Sequence, residues 1–180
     1  YFNAAYSTGT ELWAYDTSNQ SYWQIEVQTG EILTGPGEYL SVLVGDTLYF
    51  SADNQSTGTE LWAHDTSNPS SWLVSDIRSG AGDSNPGWRM NTLVGDTIYF
   101  SAHDGSTGTE LWAHDTSNHS TWRVDDINSG ISNSNPGRNT HMLIGDTLYF
   151  DADDGSTGSE LWAYDISNLS LIHISEPTRP

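Results

Sequence analysis

The chain has 180 residues and a lopsided charge, 24 Asp+Glu against 5 Lys+Arg, for a formal net of −19. That balance excludes binding to nucleic-acid phosphates or to an anionic membrane surface, since both need a basic face. The absence of cysteine excludes disulfides, thiolate metal sites and cysteine nucleophiles, and no apolar run approaches the ~20 residues of a membrane-spanning helix.

Read from its start, the chain opens on Tyr1 rather than Met, and a longer upstream sequence is expected. Short strings then recur. Tyr-Phe stands at Tyr1, Tyr49, Tyr99 and Tyr149; Glu-Leu-Trp-Ala at Glu11, Glu60, Glu110 and Glu160; Gly-Asp-Thr at Gly45, Gly95 and Gly145. The period is 50 residues, shortened in the first copy by two single-residue deletions, one between Asn3 and Ser7 and one between Trp23 and Gly30. Internal repetition at this spacing means one supersecondary unit per copy. The copies divide the chain into a partial unit (1–42), two full units (43–92 and 93–142) and a second partial unit (143–170).

Within a copy the punctuation predicts four strands. Residues 138–144 follow Asn135-Pro136-Gly137 as an extended segment, and 146–152 read as a strand with two apolar faces. Asp154-Gly155 supplies the positive-φ position of a hairpin turn. Residues 160–165 return with Leu161 and Ala163 on one face and Trp162 and Tyr164 on the other. A Thr-Ser-Asn turn leads to a fourth strand such as 122–127, and the Gly/Ser/Asn/Pro-rich 128–137 connects to the next unit. No useful 3.6-residue periodicity occurs, so no helix is expected. The fold class is all-β, a β-propeller-like array of four-stranded blades. It amounts to about three and a half units, fewer than the four to eight of a closed propeller; a piece of a longer array is expected, an open stack being the alternative.

The layout of an aromatic strand, a Gly hairpin and a Glu-Leu-Trp strand ending in a turn resembles kelch blades. The motif itself, Glu-Leu-Trp-Ala-Tyr-Asp-Thr at 11–17 and Glu-Leu-Trp-Ala-His-Asp-Thr at 60–66 and 110–116, resembles the ELWxxDGT repeats of large secreted bacterial and archaeal proteins. Asp76-Ile77 and Asp126-Ile127, with Asn-Pro-Gly downstream, extend the likeness to about 170 residues. The Gly before Thr is missing in every copy, which marks a divergent subgroup. This resemblance implies an extracellular or cell-surface setting and names no activity. Residues 171–180 depart from the repeat and resemble read-through of a sequencing adapter, so they are expected to be foreign to the protein.

Candidate sites are few. Asp151, Asp153 and Asp154 form an acidic hairpin whose oxygens could suit Ca²⁺, although the equivalent loops, with His103-Asp104 and Asp53-Asn54, do not keep the ligands; a solvated turn is the competing reading, and no other cofactor is expected. The same hairpins partly resemble the Asp-box turn of sialidases, itself a structural element. Glu160, Asp165 and their equivalents repeat in every copy, which points to turn and strand-edge roles rather than acid/base catalysis. His64 and His114 stand where other copies carry Tyr15 and Tyr164, the pattern of an aromatic wall rather than a metal ligand.

What breaks the repeat is the pair of residues after each Pro-Gly. Tyr39, Trp88, Arg89 and Arg138 fill these positions, and His141 follows. Aromatic and Arg side chains are common anchors for partners, so these five are the candidate ligand-binding residues; drift on a solvated loop is the alternative. Asn19, Asn118 and Asn168 sit in Asn-x-Ser sequons at one repeat position, as does Asn54 elsewhere, while Asn68 is blocked by Pro69. The expected function is a non-enzymatic binding or adhesion module with a glycan or protein ligand and neighbouring repeats as further partners. A propeller glycosidase or lyase whose active site lies in other blades, and a structural spacer, are the alternatives.

Overall fold

The computed structural model describes residues 2–6, 9–16, 18–25, 33–68 and 70–174. Tyr1, Thr17, Pro69, the deletion sites near Ser7 and within 26–30, and residues 175–180 lie outside the described residues. Described residues form strands and turns only, and no helix among them is long and apolar enough to cross a membrane.

The chain divides into two compact units, Tyr1–Trp88 and Arg89–Pro180. The first holds a three-stranded sheet of β1 (Phe2–Tyr6), β2 (Gly9–Asp16) and β3 (Ser21–Gln24). It also holds a four-stranded sheet of β4 (Ser41–Val44), β5 (Thr47–Asp53), β6 (Thr59–Asp65) and β7 (Ser70–Ser75). The second unit has β8 (Asn91–Val94), β9 (Thr97–His103), β10 (Thr109–Asp115) and β11 (Ser120–Arg123) in one sheet. Its other sheet is β12 (His141–Ile144), β13 (Thr147–Asp153), β14 (Ser159–Asp165) and β15 (Ser170–Ile174). Every sheet is an antiparallel meander in chain order, the topology that short turns permit.

The turns are made by the residues that break the alternation. Gly45, at φ +57°, turns β4 into β5, with Val44 opposite Thr47. In the β9–β10 hairpin, the Asp104 carboxylate accepts the Ser106 and Thr107 amides at 2.8 and 2.7 Å and also both of their hydroxyls. Burial alone would raise its pKa, but these four donors outweigh burial and hold it at about 2. Gly108 closes that hairpin at φ +80°, and a Cβ there would collide with the Ser132 carbonyl. Asp165 accepts the Ser167 amide and hydroxyl at 2.9 and 2.7 Å, the turn role expected of it.

Strand alternation puts apolar side chains on both faces of the sheets, and one face of each pair packs on its neighbour. In the first unit Leu12, Ala14 and Ile25 meet Leu48, Phe50, Ala52 and Trp62. In the second, Tyr99, Leu111 and Ala113 meet Leu148, Phe150, Ala152 and Tyr164. Phe50 and Phe150 are fully buried, and each such side chain stabilises by about 1.5–3 kcal/mol.

The fourth strand of the third copy ends at Arg123 instead of 127, with one further bond from Val124 N to Leu111 O, because the chain then turns inward. Sheets begin at Ser41, Asn91 and His141, two residues before the expected unit starts. Residues 171–174, expected outside the repeat, form most of β15: Leu171 pairs with Tyr164 and packs on the core, while Ile172, at the repeat position of Trp122, is exposed.

The inward turn has a carboxylate at its centre. Glu60 and Glu110, expected at strand edges, are fully buried. Glu110 accepts the Ile127 and Ser134 amides, each at 2.9 Å, and the Ser134 hydroxyl at 2.6 Å. Glu60 accepts the Ile77 amide at 2.8 Å, the Ser84 amide at 3.2 Å and the Ser84 hydroxyl at 2.7 Å. Burial raises both pKa values from 4.5 to about 7 against the lowering effect of these donors.

Two outcomes follow for stability. Glu110→Ala strands two amides and a hydroxyl in the interior and is expected to cost about 3 kcal/mol or more in urea unfolding. A carboxyl whose folded pKa exceeds its unfolded value stabilises fully below 4.5, and that stabilisation is lost as pH rises through about 7. Urea midpoints should therefore fall over that interval, and Glu60→Gln with Glu110→Gln should flatten the slope; an unchanged slope would refute the assignment. Separately, Gly108→Ala is expected to cost about 2–3 kcal/mol, against about 1 kcal/mol for Gly145→Ala, which has the same sign of φ but open space around it.

Candidate functional site

The residues after each Pro-Gly are held by an acceptor on the neighbouring inner strand. The Ser51 hydroxyl accepts the Tyr39 and Leu40 amides at 3.1 and 3.3 Å, and the Ser101 hydroxyl accepts those of Arg89 and Met90 at 2.9 and 3.4 Å. In the last copy Asp151 does the same work, accepting the Asn139 and Thr140 amides at 3.0 and 2.9 Å. The backbone of each segment is thus fixed while its side chains are left to vary.

In the first unit two of these side chains come together. The Tyr39 and Trp88 rings lie 6.5 Å apart at 54°, a tilted aromatic pair. Trp88 is 49% exposed and Tyr39 is partly buried. Burial, then the charges of Glu38 and Asp83, raise the Tyr39 phenol above its ordinary value, so it stays a neutral hydroxyl. Beside Tyr39, a cleft of about 250 Å³ is lined by Thr34, Gly35, Glu38, Asp53 and Thr59. Its walls are polar and acidic. Thr34 pairs with Asp53 through reciprocal backbone bonds of 2.8 and 3.1 Å, which ties the connecting segment to the hairpin and shapes the cleft.

The remaining candidates fall in the second unit. Arg89 is partly buried, and Arg138 and His141 are exposed. Arg138 donates its amide to Asn135 O at 3.2 Å, and His141 begins β12 opposite Phe150.

In the acidic hairpin all three candidate carboxylates accept hydrogen bonds from the protein. Asp151 is buried, and its carboxylate also accepts from Asn139 Nδ2 at 2.5 Å and the Ser159 hydroxyl at 3.1 Å. Burial would raise its pKa, yet the donors hold it below the ordinary value. Asp153 accepts the Gly155 amide at 2.7 Å, and Asp154 the Ser156 amide at 2.9 Å. Asp151 is thus held by the connecting segment and Ser159, and Asp153 and Asp154 by their own turn, and among the described residues no three His, Asp or Glu side chains come close enough to hold a metal ion.

His64 and His114 are buried, and their Nδ1 atoms lie 2.8 and 2.9 Å from the Ser71 and Thr121 hydroxyls. Burial lowers both pKa values, that of His114 to about 4. Asn19, Asn118 and Asn168 are exposed at turn tips. Asn118 and Asn168 donate Nδ2 to Asp115 and Asp165 at 2.7 and 2.9 Å, so the nitrogen that glycosylation would modify is engaged in the turn.

Sequence reading missed the cleft and the buried glutamates. A signal for the latter exists: Ser84 and Ser134 each open a Ser-Asn-Pro-Gly string 24 residues after Glu60 and Glu110.

No protein-family model and no curated protein matches the chain. Among solved structures it is similar to TolB from Acinetobacter baumannii, with a TM-score of 0.52 and 15% identity over 93% of this chain and 38% of that one. It is also similar to a puromycin-hydrolyzing peptidase of Mycobacterium tuberculosis, with a TM-score of 0.58 and 12% identity over 96% of this chain and 26% of that one. The chain thus spans well under half the length of either. Both are β-propeller proteins, and with its all-β antiparallel sheets this chain has a β-propeller-like fold.

Proposed function

We propose that the chain is a non-enzymatic binding or adhesion module of an extracellular or cell-surface repeat protein of the ELWxxDGT type. The observation that carries this reading is the Tyr39–Trp88 pair, with half of the Trp88 surface left to solvent beside an acidic cleft. An indole face is costly to leave in water and gains by covering the C–H face of a sugar or an apolar side chain. Glu38 and Asp53 in the cleft offer carboxylate acceptors for hydroxyl donors, the complement of a polyhydroxylated ligand. The net charge of −19 disfavours anionic glycans, so the ligand class is a neutral or cationic glycan.

The catalytic alternative gains little from this geometry. Glu60 and Glu110 have pKa values suited to proton transfer, but both are fully buried and turned toward loop amides. Glycan-array screening followed by calorimetry tests the binding reading. Trp88→Ala and Tyr39→Ala should each weaken the selected glycan about tenfold or more, while Arg138→Ala with His141→Ala should leave it unchanged. Binding that survives Trp88→Ala and Tyr39→Ala together would remove this surface from the function.

A further inference from the structure

The cleft beside Tyr39 is built from residues that the other copies of the repeat do not keep. Glu38 and Asp53 line it, and Asp83 joins it by accepting the amide of the lining residue Thr59 at 2.8 Å. At these three positions the next copy carries Trp88, His103 and Asn133. Gly35 stands where the next two copies have Asn85 and Asn135, all three at positive φ (+60°, +49° and +50°). A Cβ on Gly35 would lie 3.0 Å from Glu38 Oε2, so the glycine makes room for the Glu38 carboxylate against the cleft wall.

The fold supplies no counter-charge to this wall. Among the described residues none of Glu38, Asp53 and Asp83 is ion-paired. Arg78, in the neighbouring segment, donates Nη1 to the Asp83 carbonyl at 3.3 Å. Glu38 and Asp83 both act on the Tyr39 phenol, whose hydroxyl bonds Glu38, so the carboxylates and the aromatic pair share one site. The acceptors surround the cleft without converging on a point, since among the described residues no three His, Asp or Glu side chains come close enough to hold a metal ion. Spread acceptors suit an ammonium, whose three N–H donors diverge, and a cation also gains from the electron-rich faces of Tyr39 and Trp88.

We infer that the cleft seats the ammonium group of an amino sugar whose ring covers Tyr39 and Trp88. The inference rests on the reading of that pair as a glycan surface and adds the group that the cleft selects. A lysine of a basic peptide would bring the same charge, but a lone cation is held by a closed aromatic cage. Here the two rings, 6.5 Å apart at 54°, form an open corner, which leaves a side for the flat face of a sugar. At about 250 Å³ the cleft is smaller than the ~300–1,000 Å³ pockets that enclose whole ligands. It therefore takes one substituent while the rest of the oligomer stays outside.

Calorimetry of the full chain with a glucosamine tetramer, an N-acetylglucosamine tetramer and tetralysine tests the proposal, at about pH 6 where the amines are protonated. The glucosamine tetramer should bind about tenfold or more tightly than the acetylated one. That ratio should shrink between about 0.05 M and about 0.5 M NaCl, because the carboxylates are partly screened. Glu38→Gln with Asp83→Asn removes charge from two exposed side chains and keeps the Thr59 bond, as Asn133 accepts the Thr109 amide at 2.7 Å in the next copy. Thermal melts check that this variant is folded, and its two tetramer affinities should lie within about twofold of each other. A glucosamine tetramer that does not bind, or binds no better than the acetylated one, overturns the amine seat. So does a preference that survives the double variant, and so does tetralysine binding as tightly as the glucosamine tetramer, since charge alone would then decide. These outcomes leave the aromatic surface standing; glucosamine tetramer binding undiminished by Trp88→Ala with Tyr39→Ala overturns both.

Discussion

A buried carboxylate is the constraint on which the repeat is built. Each unit must leave its outermost strand, cross to the start of the next sheet and do so without stranding backbone donors inside. Glu60 and Glu110 meet that demand from the middle of the structure, accepting the amide that enters the crossing (Ile77, Ile127) and the amide and hydroxyl near its exit (Ser84, Ser134). The next link is visible in the second unit, where Asp153 N donates to Ser134 O at 2.9 Å and Gly137 N to Asp151 O at 2.8 Å. One side chain on β10 therefore orders a connection whose far end is zipped to β13. A residue too short to reach these donors would leave the connection without its buried acceptor.

This division of labour explains why the variable positions can vary. The connecting backbone is fixed from two sides, by the glutamate near Ser84 or Ser134 and by the strand acceptor at Ser51, Ser101 or Asp151. Both anchorages use the backbone of the segment, and in the last copy the Asn139 side chain adds a bond to Asp151. Glu38-Tyr39, Trp88-Arg89 and Arg138-Asn139 can then replace one another without disturbing the stack. Asp151 shows the limit of that freedom. A carboxylate in place of a serine hydroxyl recruits the extra donors Asn139 Nδ2 and Ser159 Oγ, the compensation that a buried charge requires.

The architecture was legible because it is written in what repeats. A period of 50, alternation through Leu-Tyr-Phe and Glu-Leu-Trp-Ala, and Gly-Asp and Asp-Gly turns specify the strands to within a few residues. The misplaced strand end after Trp122 arose because Val124-Asp125-Asp126-Ile127 alternates like a strand, and only the tertiary bond from Ile127 N to Glu110 reveals the turn. Glu60 and Glu110 looked peripheral because a charged residue is ordinarily exposed; their partners lie 17 and 24 residues away, beyond any local pattern. The site was harder still. Tyr39 and Trp88 fill different places after their Pro-Gly pairs, so aligning the copies separates two rings that the fold brings to 6.5 Å.

Outside the cleft the excess of acid is distributed as structure, and its consequences for pH run in opposite directions. Asp65, Asp115, Asp154 and Asp165 have lowered pKa values through the hydroxyl and amide donors of their own turns. Asp104 is held at about 2 because its turn donors outweigh its burial. A carboxylate with a depressed folded pKa stabilises fully above its ordinary 3.8, and that contribution is lost as pH falls through the lowered value. Glu60 and Glu110 act the other way, stabilising fully below 4.5 and losing that contribution as pH rises through about 7. The two windows overlap only between 3.8 and 4.5. At neutral pH the turns are near their best while the buried glutamates are part-way through ionisation, so the anchorage of the connecting segments is the component most exposed to a change in pH. The segment that Glu60 anchors carries Trp88, and the firmness of that anchorage is thereby linked to how well the indole is held against Tyr39.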